Sequence, residues 1–167
     1  MIFFPEKSRK EKKIEQTLLQ TYDRYYRLAY SYVHCEADAA DIVQNGAYKA
    51  ILHSDTLRKE EYVSTWVYRI MLNETFRFLK KERPLISLEE LDVDKGREDT
   101  YENLDLRRAL NALAEKDKAV IELRYFDDMK LTDIARVLDE NVNTVKSRLY
   151  RGLRKLKLEL EDVGQWE

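Results

Sequence analysis

Apolar residues in this chain recur three and four positions apart over long runs, and the runs are interrupted by one acidic stretch. Ile14, Leu18, Tyr22, Tyr25, Ala29 and Tyr32 trace one face of a helix. A second helix is expected from about Asp38 to His53, with Ile42, Val43, Ala47, Ala50 and Ile51 inward. A third is expected over Glu61 to Glu82, with Trp66, Val67, Ile70 and Phe78 at helical spacing, ending ahead of Pro84. After the break, Leu106, Ala109, Leu110 and Leu113 form a stripe, and Val120, Ile121, Tyr125 and Phe126 form the next. Leu131, Ile134, Ala135 and Leu138 predict a short helix. Val142, Val145, Leu149, Leu153, Leu156 and Leu160 predict a long one. With four glycines and two prolines, the turns that an all-β fold needs are scarce, so the chain reads as all-α.

The break covers 84–103, and its charge is read over Pro84 to Asp105. Eight acids face only Lys95 and Arg97 there, a net charge of -6. A self-repelling stretch with few apolar groups reads as a linker. The expected organisation is an N-terminal helical domain at 1–83, a flexible acidic linker at 84–103 and a second helical domain at 104–167. A surface loop of a single compact domain is the alternative, since Leu85, Ile86, Leu88 and Leu91 offer apolar anchors. Lys7 to Lys13 is basic, and the sequence leaves the order of the first thirteen residues open.

Several functions are disfavoured. Cys35 is the only cysteine, so an internal disulfide is impossible and a reducing compartment is compatible. The apolar run Ile2 to Phe4 is far shorter than the roughly 7–15 residues of a signal-peptide core. No run approaches the ~20 apolar residues of a membrane span. A cytoplasmic protein is expected. His34 and His53 lack a carboxylate or cysteine constellation, and the scattered glycines form no phosphate-cradling loop. The chain is therefore read as neither an enzyme nor a holder of a metal or other cofactor.

The charge is unevenly placed. From Val142 to Lys157 the cations are Lys146, Arg148, Arg151, Arg154, Lys155 and Lys157, with no acid, while the whole chain carries only -2. Ahead of this basic helix, Asp139-Glu140-Asn141 has the polar residues of a tight turn. A basic helix after a tight turn is the pattern of a helix-turn-helix entering a DNA major groove. Asn141 or Asn143 caps the helix, and Asn143 is favoured. Asn143, Thr144, Lys146, Ser147 and Arg148 then face outward. An Arg fork on guanine, or an Asn on adenine, discriminates by roughly 1–3 kcal/mol. Lys146, Arg151 and Arg154 suit phosphates, which set affinity and salt dependence. The alternative is a solvated basic face.

Residues 61–83 interleave Tyr62, Trp66, Tyr68, Phe76 and Phe78 with Arg69, Arg77, Lys80, Lys81 and Arg83. Aromatics that stack bases and cations that follow the backbone suit single-stranded DNA. The competing assignment places Trp66, Ile70 and Phe78 in the core.

Three stretches in order resemble bacterial RNA polymerase sigma factors of the extracytoplasmic-function (ECF) subfamily: Asp38 to Gln44, Ser64 to Asn73, and Leu131 to Arg151. The resemblance spans about Tyr22 to Leu160. It implies a subunit that binds core RNA polymerase through the β′ clamp helices and the β flap and directs it to promoter DNA. It also implies regulation by an anti-sigma factor, frequently membrane-bound, in an envelope or stress response. Asp41 and Gln44 match the polymerase-binding surface, and Asn45 and Tyr48 are assigned to it with them. Tyr62, Trp66, Arg69, Asn73, Arg77 and Lys80 fall on the minus-10 element. Asn143, Thr144, Lys146, Ser147, Arg148, Arg151 and Arg154 fall on the minus-35 element. The chain departs from the family at Asn45-Gly46-Ala47, where Glu commonly follows the Gln and an aromatic comes two residues later. A helix-interior Gly costs ~1 kcal/mol relative to Ala, and Tyr48 is the candidate to replace the missing aromatic. From the residues alone, a stand-alone helix-turn-helix regulator and a helical protein-interaction module remain as other readings.

Overall fold

The computed structural model describes residues 6–82 and 101–163, and every regular element within them is helical. The chain divides into two compact units, Met1–Leu85 and Ile86–Glu167. Most of the expected linker lies outside the described residues. Its last three positions do not behave as a linker: the helix after the break starts at Tyr101 rather than 104.

In the first unit, α1 spans Arg9–Val33, α2 Glu36–Leu52 and α3 Val63–Glu82. The basic N-terminal segment is helical from Arg9, because Ser8 Oγ accepts the Glu11 N–H at 3.2 Å. α1 ends at His34, a non-glycine residue in the left-handed region (φ 55°), whose N–H donates to the Tyr30 carbonyl at 2.9 Å. Two 3-10 turns, Ser54–Thr56 and Glu60–Tyr62, connect α2 to α3.

The three helices pack on one another around Ile14, Tyr25, Ile42, Val43, Val67, Tyr68, Met71 and Leu72. Tyr25 and Tyr68 meet edge to face with centroids 4.8 Å apart. The α1 stripe is narrower than its spacing implied: Leu18 is half-buried and Tyr22 exposed, while Leu28 and Val33 are buried. On α3 the buried arc is rotated from the expected one. Val63, Val67, Tyr68, Met71 and Leu72 are buried, and Trp66, Ile70 and Phe78 only half so. α3 packs against both α1 and α2. Contact with two neighbours widens its apolar arc towards Tyr68 and Leu72 and leaves Trp66 at the edge. Tyr68 is therefore core, not a base-stacking aromatic.

Gly46, read from sequence as a helix weakness, has a packing reason. A Cβ there would lie 2.4 Å from Met71 Sδ, so the missing side chain lets α2 and α3 close over Met71. Lys49 of α2 and the buried Glu74 of α3 form an ion pair across the same interface.

In the second unit, α4 spans Tyr101–Asn111, α5 Glu115–Tyr125, α6 Leu131–Leu138 and α7 Val142–Val163. α7 packs on α4, α5 and α6 through Val145 and Leu149, over a core including Ala119, Val120, Leu123, Ile134 and Val137. Gly152 passes so close to α5 that a Cβ would meet Ile121 Cδ1 at 2.7 Å. Tyr125 and Phe126 are not core, as their spacing had implied. They are 58% and 62% exposed, because α5 ends at Tyr125 and the chain turns away. Among the described residues no helix is long and apolar enough to cross a membrane, and no cluster of His, Cys, Asp or Glu could hold a metal ion.

Candidate polymerase and nucleic-acid interface

Three exposed faces carry the residues singled out in the sequence. On α2, Asp41, Gln44, Asn45 and Tyr48 are all exposed. Their spacing of three, one and three puts them on a single face. Exposed Ile51 and Leu52 extend that face, giving it an apolar end. Tyr48 is 66% exposed, so it stands on this surface and fills no core space.

On α3, Arg69, Asn73, Arg77 and Lys80 are exposed and Trp66 is half-buried. At 100° per residue these five fall within about 80° of one another. The edge position of Trp66 leaves part of its ring on the same surface as the cations. Tyr62 lies in the 3-10 turn just ahead of α3, with Lys59 Nζ 6.0 Å from its ring centroid. Arg77 also approaches Glu74 at 3.9 Å, a mostly exposed cation beside a buried acid.

The third face belongs to the helix-turn-helix, α6-turn-α7. α6 closes with Asp139 in the left-handed region (φ 53°). The Asp139 N–H donates to the Arg136 carbonyl and the Glu140 N–H to the Ala135 carbonyl. The cap of α7 is Asn141, not Asn143: Asn141 Oδ1 accepts the Asn143 N–H at 2.7 Å. The reason is register. α7 begins at Val142, so Asn143 already lies inside the first turn, with its side chain exposed. Thr144, Lys146, Ser147, Arg151 and Arg154 are exposed as well. Ser147 Oγ donates back to the Asn143 carbonyl at 3.1 Å. Tyr150, 62% exposed, shares this face. It is absent from the set expected above, although its spacing from Asn143 and Ser147 places it there.

Arg148 departs most from its expected position. Its spacing predicts a groove-facing side chain, but that side chain is only 20% exposed and turned into the domain. Nε and Nη2 donate to Glu140 at 2.7 and 2.9 Å, and Nη1 donates to Asp117 Oδ1 at 3.1 Å. Arg151 joins from the outer side, donating to Asp117 through Nε at 2.8 Å and Nη2 at 3.1 Å. Lys116 Nζ reaches Glu140 at 3.3 Å, and Lys155 Nζ donates to the Ala112 carbonyl at 2.7 Å. Burial raises the Asp117 carboxyl, but the hydrogen bonds from Arg151 and Arg148 outweigh it and leave the group below its ordinary value. Glu140 is likewise lowered, chiefly by Arg148. The network reaches from the start of α5, through the turn, to two turns of α7. Asp117 lies more than thirty positions from its arginines, so no local spacing marked it.

Residues 18–84 match Sigma-70 region 2, and residues 103–156 match Sigma-70, region 4. The chain is 40% identical over 145 residues to the RNA polymerase sigma factor SigV of Bacillus subtilis (strain 168), covering 84% of this chain and 87% of that protein. The chain belongs to the ECF RNA polymerase sigma factors. A second similar protein, the ECF sigma factor SigW of the same organism, is 30% identical over 159 residues, covering 84% of this chain and 85% of that one. The sigma factor RpoE of Bartonella quintana, solved in complex with the anti-sigma factor NepR, shares the fold at TM-score 0.73 and 23% identity, over 90% of this chain and 98% of that one. CnrH, solved with the cytosolic domain of CnrY, does so at TM-score 0.70 and 22% identity, over 90% and 89%. Region 2 is thus the α1–α3 unit, and the helix-turn-helix lies in region 4. Sigma factors direct RNA polymerase to promoters and are not themselves enzymes. Membership decides against the stand-alone regulator and the generic interaction module that the residues alone had left open.

Proposed function

We propose that this sigma factor divides its work among the three exposed faces. The α2 face of Asp41, Gln44, Asn45 and Tyr48, with Ile51 and Leu52 at its end, docks on the β′ clamp helices. Tyr62, Trp66, Arg69, Asn73, Arg77 and Lys80 take the minus-10 element as its strands part. Asn143, Thr144, Lys146, Ser147, Arg151 and Arg154 meet the minus-35 element as duplex, and Tyr150 joins them. Arg148 leaves the groove-reading set: it holds the turn and α5 against α7. The second unit meets the β flap, and the acidic linker, read at 84–103 between domains at 1–83 and 104–167, connects the two. The observation that carries this division is that α2 and α3 present separate exposed rows, one acidic-to-neutral and one cationic with an aromatic at its edge. A rigid α-helical partner suits the first row, and an anionic strand suits the second.

A magnitude fixes the order of events. Opening about ten base-pair steps at roughly 1.4 kcal/mol each costs on the order of 14 kcal/mol. Stacking one or two bases on aromatics returns only a few kcal/mol. Polymerase contacts supply the difference, so the free protein binds duplex weakly and opens it only within the holoenzyme.

Two solved structural neighbours were each captured with another protein, NepR for RpoE and the cytosolic domain of CnrY for CnrH. This supports an anti-sigma factor for the present chain, read here as covering the polymerase-binding faces of a cytoplasmic sigma factor until an envelope stress releases it. Reconstitution with core polymerase tests the whole reading. New transcripts starting at defined promoters are expected, and substitution along the α2 face is expected to lower polymerase affinity. A chain that ignores core polymerase yet grips duplex DNA tightly by itself would overturn it.

A further inference from the structure

Asp117 and Arg151 are on different helices, α5 and α7, and the acid is 5% exposed. Both carboxylate oxygens of Asp117 accept from Arg151, Oδ2 from Nε at 2.8 Å and Oδ1 from Nη2 at 3.1 Å. Asp117 Oδ1 also accepts from Arg148 Nη1 at 3.1 Å. The two arginines differ in what they leave available. Arg148 turns all three of its nitrogens inward, towards Glu140 and Asp117. Arg151 gives Asp117 only the Nε/Nη2 edge, and 59% of its side chain is exposed. A guanidinium is planar, so gripping one edge fixes the orientation of the other. That outer edge, Nη1 with the second Nη2 hydrogen, is a fork that matches guanine O6 and N7, so Arg151, whose spacing alone suits a phosphate, is here read as a base contact. An arginine on a flexible stem would have to be ordered on each encounter. This one is already ordered.

We infer that Asp117, without touching DNA, is a positioning residue for promoter reading: it holds Arg151 as a preset fork, and upstream-element specificity depends on that hold. The inference rests on the reading of α7 as the helix that meets duplex DNA. It carries a distinctive sign. A carboxylate beneath a DNA-binding face weakens attraction for phosphates, so replacing it with a neutral isostere preserves or raises non-specific affinity while specificity falls. A purely structural role would lower both together, in step with thermal stability.

The test uses the full chain assembled with core polymerase. The holoenzyme is titrated with promoter fragments carrying each single base-pair change across the upstream element, and with non-promoter duplex. Arg151→Ala is expected to reduce discrimination about tenfold at one or two adjacent base steps. Asp117→Asn is expected to lose about three- to tenfold at those same steps, with non-specific affinity maintained, and to add nothing in the double variant. The inference is overturned if Asp117→Asn weakens all fragments alike, acts at other steps, adds in full to Arg151→Ala or changes nothing. Should Asp117→Asn lose its helical circular-dichroism signal, Arg151→Lys asks the same question from the other side. It keeps the cation but removes the fork, so the same steps lose discrimination, and unchanged discrimination overturns the inference. If Arg151→Ala is silent while Asn143→Ala and Thr144→Ala relax specificity, this inference alone fails. If all three are silent, the reading of α7 fails and the inference with it.

Discussion

Arg148 is joined to Glu140 by a bidentate pair, Nε to Oε2 at 2.7 Å and Nη2 to Oε1 at 2.9 Å, across the turn of the helix-turn-helix. The turn and the recognition helix are therefore clamped by side chains as well as by backbone caps. The third donor of the same guanidinium reaches Asp117, which brings α5 into the clamp.

Arg148→Ala leaves two largely covered carboxylates short of their partner. A loss of ~2–3 kcal/mol in the stability of the second unit is expected. The pH dependence has a definite sign. Both carboxyls lie below their ordinary values of 3.8 for Asp117 and 4.5 for Glu140. Depressed folded values mean that the stabilisation is complete above those ordinary values and is lost as pH falls through the folded ones. The stability gap between parent and Arg148→Ala is therefore level from about pH 6 to 8 and closes below about pH 4.5. Denaturant melts across that range check it, and a gap unchanged in acid would refute the assignment.

Lys118 acts with the same sign in the alkaline range. Its ammonium is buried and donates to Asn111 Oδ1 at 2.8 Å; burial, opposed by Glu122, lowers its pKa from 10.5 to about 8. Between about pH 8 and 10.5 the unfolded chain holds the proton more tightly, so this residue makes stability rise with pH, by roughly 3 kcal/mol. Lys118→Met removes that contribution. A variant whose alkaline stability profile matches the parent's would contradict the lowered value.

Gly46→Ala sets helix propensity against packing. Propensity favours the alanine by ~1 kcal/mol. The new Cβ, however, would lie 2.4 Å from Met71 Sδ, in a side chain that is itself buried. Overpacking of this kind costs typically 1–3 kcal/mol, so a net loss of about 1 kcal/mol is expected. Thermal melts of Gly46→Ala and of Gly46→Ala/Met71→Ala check it. Recovery of packing tolerance in the double variant is the expected outcome, and a stabilised single variant would show that Met71 moves aside freely.

Trp66 and Tyr68 are two residues apart on α3 but differ in burial. Tyr68→Ala empties the centre of the first unit and is expected to cost ~3–5 kcal/mol. Trp66→Ala is expected to cost less stability but to lower open-complex formation by the holoenzyme at least several-fold, as one lost base stack implies. Permanganate reactivity of the melted strand, read beside the melting temperature, separates the two effects. Unaltered strand opening in Trp66→Ala would remove this residue from the DNA-facing row.

Lys146 and Arg154 are exposed and make no ion pair among the described residues. Each is expected to hold one phosphate. Replacing either with Ala should weaken binding to all upstream sequences alike and reduce the log–log salt slope by about 1, leaving their ranking unchanged. A changed ranking would move that residue into base contact.

Much of the molecule is determined by local pattern. Steps of three and four fix where the helices run, because one turn brings those positions onto one face whatever lies opposite. Asp41, Gln44, Asn45 and Tyr48 share a face for the same reason, as do Trp66, Arg69, Asn73, Arg77 and Lys80. The polar run Asp139-Glu140-Asn141 ends one helix and starts the next through backbone groups within five residues of it. Contacts between helices were decided elsewhere. Whether Tyr68 or Trp66 enters the core depends on how α1 and α2 together cover α3, and periodicity along one helix holds no information about two neighbours. Gly46 reads as a weakness until Met71 is seen against it. Arg148 and Arg151 look equivalent along α7, and only the packing of α5 brings Asp117 between them, tying one inward and leaving the other at the surface. Charges on one helix are set by its sequence, but their partners are set by distances in space, and those exist only once the chain has folded.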